Sequence, residues 1–150
     1  MDDIIALLQQ IDLFRGLDDT QLGQIAAISH REECSTGMLI CEQGYPADKL
    51  AIITAGQVEV SVMGSDGNRH SALYLGEGQV IGEMGLIDTG RRSASVIAAE
   101  DNTVIYSIYA EDFTRLCETH TDLGYLIMRN IAQDLSFKLR HHDARHAGEQ

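Results

Sequence analysis

Apolar residues recur along this chain at two different periods, and the change of period divides it into three. From Met1 to about Ser29 the spacing is helical. Ile4, Ile5, Leu8 and Ile11 fall on one face, and in "LDDTQLGQIAAIS" either Asp18 or Asp19 is placed to cap a second helix. From about residue 30 to 109 short apolar runs are cut by the glycine-bearing or acidic turns "STG", "EQGYPAD", "TAG", "GSDGN", "LGEGQ", "DTG" and "AEDN". "QVEVSVM" alternates with Val58, Val60 and Val62 on one face, and "NTVIYSIY" is rich in β-branched and aromatic residues. This pattern predicts a β-sandwich or barrel of about eight strands. From Ala110 the helical period returns. "AEDFTRLCETH" makes a short helix, and Thr121 or Asp122 is placed to cap a long one running to about Arg145. Leu123, Ile127, Ile131, Leu135 and Leu139 form a stripe on that helix, broadened by Met128 and Ala132, and Lys138, Arg140 and Arg145 gather toward its C-terminal end. The stripe fits packing on the barrel and a dimer seam equally well.

Bulk composition narrows the function. The 150 residues are 44% hydrophobic and 23% charged, which suits one α+β domain with a full core over 1–150. No apolar run reaches the roughly 18 residues of a membrane span. Acids in "MDDIIALLQQ" stand where a secretory leader needs bases. Cys34, Cys41 and Cys117 are odd in number with no CxxC spacing, so they read as reduced thiols of a cytoplasmic protein. With 23 acids against 11 bases and a net charge of -12, the chain has little material for a phosphate-backbone interface, which argues against nucleic acid. An anionic small molecule is not excluded, since backbone N–H groups and one arginine outweigh a diffuse screened field.

The segment "GEGQVIGEMGLIDTGRRSASVIAA" has the means to hold such an anion. Glycines at both ends of Gly82-Glu83-Met84-Gly85 allow a sharp turn and a close backbone approach. A short helical turn over Glu83 to Ile87 would aim free N–H groups at one spot. In a regular strand Arg92 shares a face with Ala94, Val96 and Ala98 and points into the barrel, while Arg91 points to solvent. A guanidinium inside the barrel keeps its proton and needs an anionic partner, for which a planar bidentate phosphate contact is suitable. Glu83 is an alternative partner for Arg92, and in that case the pair simply closes the barrel end.

These residues resemble the cyclic nucleotide-binding domain of catabolite-activator proteins, cyclic-nucleotide-gated channels and cyclic-nucleotide-dependent kinases. The family's phosphate-binding cassette reads roughly F-G-E, a loop, then R-S/T/A-A-x-V. Here Gly82, Glu83, Arg92, Ser93, Ala94 and Val96 stand in register. "EQGYPADKLAIITAGQVEVSV" is similar to the family's G-x-x-x-D-x-x-Y/F-x-I-x-x-G-x-V through Gly44, Asp48, Ile52, Gly56 and Val58, with Leu50 where an aromatic is common. The resemblance spans residues 11 to 140. It implies an eight-stranded β-roll or jelly-roll flanked by N-terminal helices (about 2–29) and C-terminal helices (about 110–145). By the same resemblance Arg92 grips a cyclic phosphate within the Gly82 turn, N–H groups around Met84 and Gly85 assist, and Glu83 accepts the ribose 2′-OH. Ser93 adds a contact that needs an irregular strand start, and Val80 and the long helix cover the purine. The implied ligand is cyclic AMP in preference to cyclic GMP, with no cofactor, and the implied output is a homodimer through the C-terminal helix or a separate effector protein.

The rival class is a cupin-like metalloenzyme, which needs histidines converging inside a barrel. Only His30 and His70 fall in the barrel region, 40 residues apart and without an H-x-H. His141, His142 and His146 have the spacing of a helical metal site but read as a solvated helix end, and His30, His70 and His120 read as surface residues. No nucleophile–base constellation or P-loop is visible, so the chain reads as a non-enzyme. A cyclic dinucleotide as ligand, or a degenerate fold used for protein interaction, stays open at this stage.

Overall fold

The computed structural model describes residues 2–88 and 90–148, with side chains described from residue 4 to residue 141 except at 89. The chain enters through α1 (Asp2–Gln9), a 3-10 turn (Asp12–Phe14) and α2 (Asp19–Ala27). Eight strands follow: β1 (Ser29–Cys34), β2 (Leu39–Cys41), β3 (Lys49–Ala55), β4 (Gln57–Met63), β5 (Arg69–Gly76), β6 (Val80–Ile81), β7 (Ser95–Ala98) and β8 (Thr103–Tyr109). One helical turn, α3 (Gly85–Asp88), separates β6 from β7, and α4 (Ala110–Thr119) and α5 (Thr121–Gly148) complete the chain. The strands form two four-stranded antiparallel sheets, ordered β1-β8-β3-β6 and β2-β7-β4-β5. This is the α+β jelly-roll expected from the sequence. No helix among the described residues is long and apolar enough to cross a membrane.

The core has two compartments, and β3 belongs to both. Ala51 and Ile53 face Val58, Val96, Ala98 and Ile105 between the sheets. Leu50 and Ile52 face outward against Leu8, Phe113, Leu123 and Ile127 of the helices. Burial on both faces explains why "LAII" reads as an unbroken apolar run where a half-solvated strand would alternate.

Local chemistry fixes the helices. Asp18, not Asp19, caps α2: its carboxylate accepts from the Gln21 N–H while the Gln21 side chain accepts from the Asp18 N–H. Thr121 is itself the first residue of α5, with Asp122 in its first turn, so the expected cap lies one residue too late. A polar clamp ties the 3-10 turn to α5. The buried Asn130 amide donates to the carbonyls of Leu13 and Arg15, both at 2.9 Å. Arg15 reaches back to the Asn130 carbonyl and to Gln133. The amide is fully used at the centre of an otherwise apolar contact.

Two expected stripes are shorter than the periodicity implies. On β4, Val58 is buried and Val60 half-buried, but Val62 is exposed and Ser61 turns inward. The register against β5 shifts between Val60 and Ser61, and such a bulge reverses the faces beyond it. On α5, Leu123, Ile127 and Ile131 are buried and Leu135 is half-buried, whereas Leu139 is 63% exposed because the helix has run past the barrel. His30 and His70 are exposed as expected, but His120 is half-buried and bonded to Gln24.

Phe113 is fully buried where α4, α5 and β3 meet, so Phe113→Ala is expected to cost about 3–5 kcal/mol in urea denaturation. Cys117 packs at the edge of the same compartment. Burial, helped by the Glu118 charge, pushes its thiol from 9.0 up to about 11. The folded chain then holds a proton that the unfolded chain releases. Stability is therefore expected to be full below a pH of about 9 and to fall as the pH rises from about 9 toward 11. Urea midpoints across that range check this, with Cys117→Ala flattening the decline.

Candidate functional site

The site is built where β6 runs out. Ile81 closes a two-residue strand, and Gly82 turns the chain at a φ of +84°, in the left-handed region. A β-carbon at Gly82 would collide with the Arg92 guanidinium and come within 3.0 Å of the Lys49 carbonyl oxygen. The helical turn begins at Gly85, two residues later than expected, so Glu83 and Met84 form the turn that precedes it. Gly85 is buried on Ala47, whose side chain leaves no space for a β-carbon there. The Gly85 N–H is bonded to the Gly82 carbonyl at 3.1 Å, and Leu86 to Glu83 at 3.1 Å. The N–H groups of Glu83 and Met84 make no hydrogen bond among the described residues, so the free donors lie one position earlier than the pair expected around Met84 and Gly85.

Arg92 lies opposite this turn. Its main chain is held on both sides by the "EQGYPAD" loop: the Arg92 N–H donates to Tyr45 at 2.8 Å, and its carbonyl accepts from the Gly44 N–H at 2.9 Å. The side chain is only 8% exposed. Its guanidinium donates to the Lys49 carbonyl at 2.5 Å and stands 3.9 Å from the Asp48 carboxylate. Asp48 is largely exposed and too distant for a hydrogen bond, so the guanidinium keeps unused donors in a buried setting. Glu83 is half-buried and forms no ion pair with Arg92 among the described residues, so the barrel end is not closed by that pair. Arg91 is exposed as expected and donates to the Gly44 carbonyl at 2.7 Å.

Arg92, Ser93 and Ala94 precede β7, which starts at Ser95. The strand start is therefore irregular, and Arg92 and Ser93 line the same cavity in spite of their opposite parity. Val96 and Ala98 do point between the sheets as period two requires. The cavity measures about 420 Å³ and brings together all six residues singled out in the sequence: Gly82, Glu83, Met84, Gly85, Arg92 and Ser93. Its wall includes residues that the cassette pattern does not mark, among them Leu73 and Leu75 of β5 and the thiol-bearing Cys41. The alternation of Leu73 and Leu75 along β5 was the available signal for that wall. Burial pushes the Cys41 thiol up, against the pull of the Arg92 charge, so it stays protonated and apolar in character. Among the described residues no group of three His, Cys, Asp or Glu side chains is placed to hold a metal ion. The side chains of His142 and His146 lie outside the described residues.

The family model for the cyclic nucleotide-binding domain matches residues 31–120. The chain is 30% identical over 131 residues to the cyclic AMP receptor protein of Thermus thermophilus, covering 87% of this chain and 58% of that protein. The crystal structure of the Thermus thermophilus catabolite activator protein superposes with a TM-score of 0.76 at 30% identity, over 89% of this chain and 61% of that one. A cyclic nucleotide-binding-like protein from Brucella abortus superposes with a TM-score of 0.68 at 29% identity, over 78% of this chain and 99% of that one. The chain thus spans about three fifths of the Thermus protein it matches.

Gly78 and Gly82 share a positive φ, but a β-carbon at Gly78 meets nothing within 4 Å. Gly78→Ala is therefore expected to cost about 1 kcal/mol of backbone strain in urea denaturation. Gly82→Ala is expected to cost clearly more, the excess measuring the displacement of Arg92. Equal costs would show that the guanidinium yields freely.

Proposed function

The chain belongs to the cyclic nucleotide-binding domain family, and from that premise we propose that it binds one cyclic nucleotide in the Arg92 cavity and converts occupancy into a position of its C-terminal helices. The observation that carries this reading is the buried guanidinium with unused donors, facing a turn that also offers free N–H groups. In the proposed complex Arg92 takes the phosphate oxygens as a charge-assisted pair. The Glu83 and Met84 N–H groups aim at the same anion, and Gly82 and Gly85 let the backbone come close. Ser93 lines the cavity beside Arg92 and contributes its hydroxyl. The Glu83 carboxylate has no ion-pair partner among the described residues and accepts from the ribose 2′-OH. We assign cyclic AMP over cyclic GMP, supported by the likeness to a protein named for cyclic AMP.

The signalling half of the proposal rests on where the cavity wall comes from. Val80, Glu83 and Met84 face both the Arg92 cavity and a second hollow whose far wall includes Ile131 and Leu135 of α5. A ligand that favours one position of α5 over another shifts the population by its differential affinity. The outer face of α5 exposes Tyr125, Met128 and Leu139, which suits a homodimer seam or an effector protein as reader. The unpaired, buried thiols Cys34 and Cys41 suit a cytoplasmic location. The proposed role is binding and transmission, with no bond made or broken in the ligand.

Calorimetric titration with cyclic AMP is expected to give micromolar binding to the wild type. Arg92→Ala should weaken it by about 2 kcal/mol or more, roughly thirtyfold, because a buried charged contact is lost. Absence of heat with both cyclic AMP and cyclic GMP would remove the proposal.

A further inference from the structure

The sheet edges of this fold differ in how open they are to another strand. Among the described strands, β1, β6, β2 and β5 stand at edges. β6 has two residues and β2 three, too few for a ladder of their own. β1 has six residues but reads "SHREEC", with Arg31 and Glu32 at its centre, and charges there keep other strands away. β5 has eight residues, and between Arg69 and Glu77 it carries no lysine, arginine or acid. It exposes Leu73 at 48% and Tyr74 at 53%. A long edge without charge and with apolar side chains in the open is suited to receive a further strand. Its backbone also has groups to offer. The register against β4 steps from Ser71 opposite Ser61 to Leu73 opposite Val60, which leaves Ala72 without a ladder partner on that side.

Symmetry and charge select the strand that fits. A two-fold axis perpendicular to a sheet returns every side chain to its own face, so the axis must pass through a residue that meets its own copy. On β1 the central candidates are Arg31 and Glu32, and either would set like charges together. On β5 an axis through Leu73 sets leucine on leucine, Tyr74 opposite Ala72 and Leu75 opposite Ser71. It also brings Arg69 opposite Glu77 at both ends. Both are exposed, and neither forms an ion pair among the described residues. Moving the axis to Ala72 or Tyr74 loses that pairing, because Arg69 then meets Leu75 or Gln79.

We propose that the β5 edge is an interaction surface for a second copy of this chain, paired antiparallel about Leu73 and closed at each end by Arg69 and Glu77. This surface is separate from the outer face of α5. The pairing joins two four-stranded sheets into one continuous sheet and covers Leu73, which also lines the Arg92 cavity. Contact confined to one strand and its flanks falls below the roughly 1,200 Å² of a standard interface, so the association is weak and reversible.

Sedimentation velocity on the full chain tests this in about 0.15 M salt, where the net charge of -12 on each copy is screened beyond about 8 Å. A monomer–dimer equilibrium with a midpoint of about 100 micromolar is expected. Arg69→Glu and Glu77→Arg each set like charges opposite one another twice per dimer, and each should weaken association about tenfold. The two reversals together restore opposite charges and should bring the midpoint back to within about threefold of wild type. Both side chains lie outside the core, and melting curves confirm that the variants keep the fold. A wild type that stays monomeric up to about 500 micromolar would overturn the inference. So would a dimer that both single reversals leave intact and that Met128→Glu dissolves, because its seam then lies on α5. The measurement uses no nucleotide, so its outcome is independent of the role assigned to Arg92.

Discussion

A guanidinium cannot shed its charge in a folded protein, and Arg92 holds one with its side chain 8% exposed at the mouth of a β-sandwich. Much of the surrounding architecture serves to tolerate that charge. The Gly44–Tyr45 loop pins its main chain from both sides, the Lys49 carbonyl takes one of its donors, and Gly82 gives up a side chain so that the guanidinium has room. Its one ion-pair partner among the described residues is Asp48, at 3.9 Å and open to water, so the compensation is weak. A buried cation with incomplete compensation is costly to the fold alone, and on the proposed reading it is a charge held ready for an anion.

The same logic extends across the cavity. The Arg92 cavity contributes a guanidinium and free N–H groups beside the Glu83 carboxylate, and the neighbouring hollow is lined by Asp12 and Asp134, which share Arg15 as an ion-pair partner. A net charge of -12 for the whole chain says little about such a site, because a few buried groups decide it.

Much of this was legible in the sequence for identifiable reasons. The changes of hydrophobic period placed the switches from helices to strands and back within a residue, since strands and helices bury different spacings. The six cassette residues were readable because glycine and arginine carry specific backbone and charge demands, and they do line one cavity. Tertiary details were not readable. The bulge that turns Ser61 inward and Val62 outward depends on the facing strand. The departure of Leu139 from the core depends on where the barrel stops, which a continuous stripe does not announce. The hollow beside the Arg92 cavity was invisible because Asp12 and Asp134, which line it, are more than 100 residues apart.

The Asn130 clamp joins the 3-10 turn to α5 by a buried amide with both hydrogens committed. Both of those elements also line the hollow beside the Arg92 cavity, through Asp12 and Leu13 on one hand and Ile131 and Asp134 on the other. That wall is therefore made by two elements that the clamp fastens together. On the proposed reading, a ligand that rests on that wall and the Asn130 clamp are linked, and each would stabilise the other by the same amount.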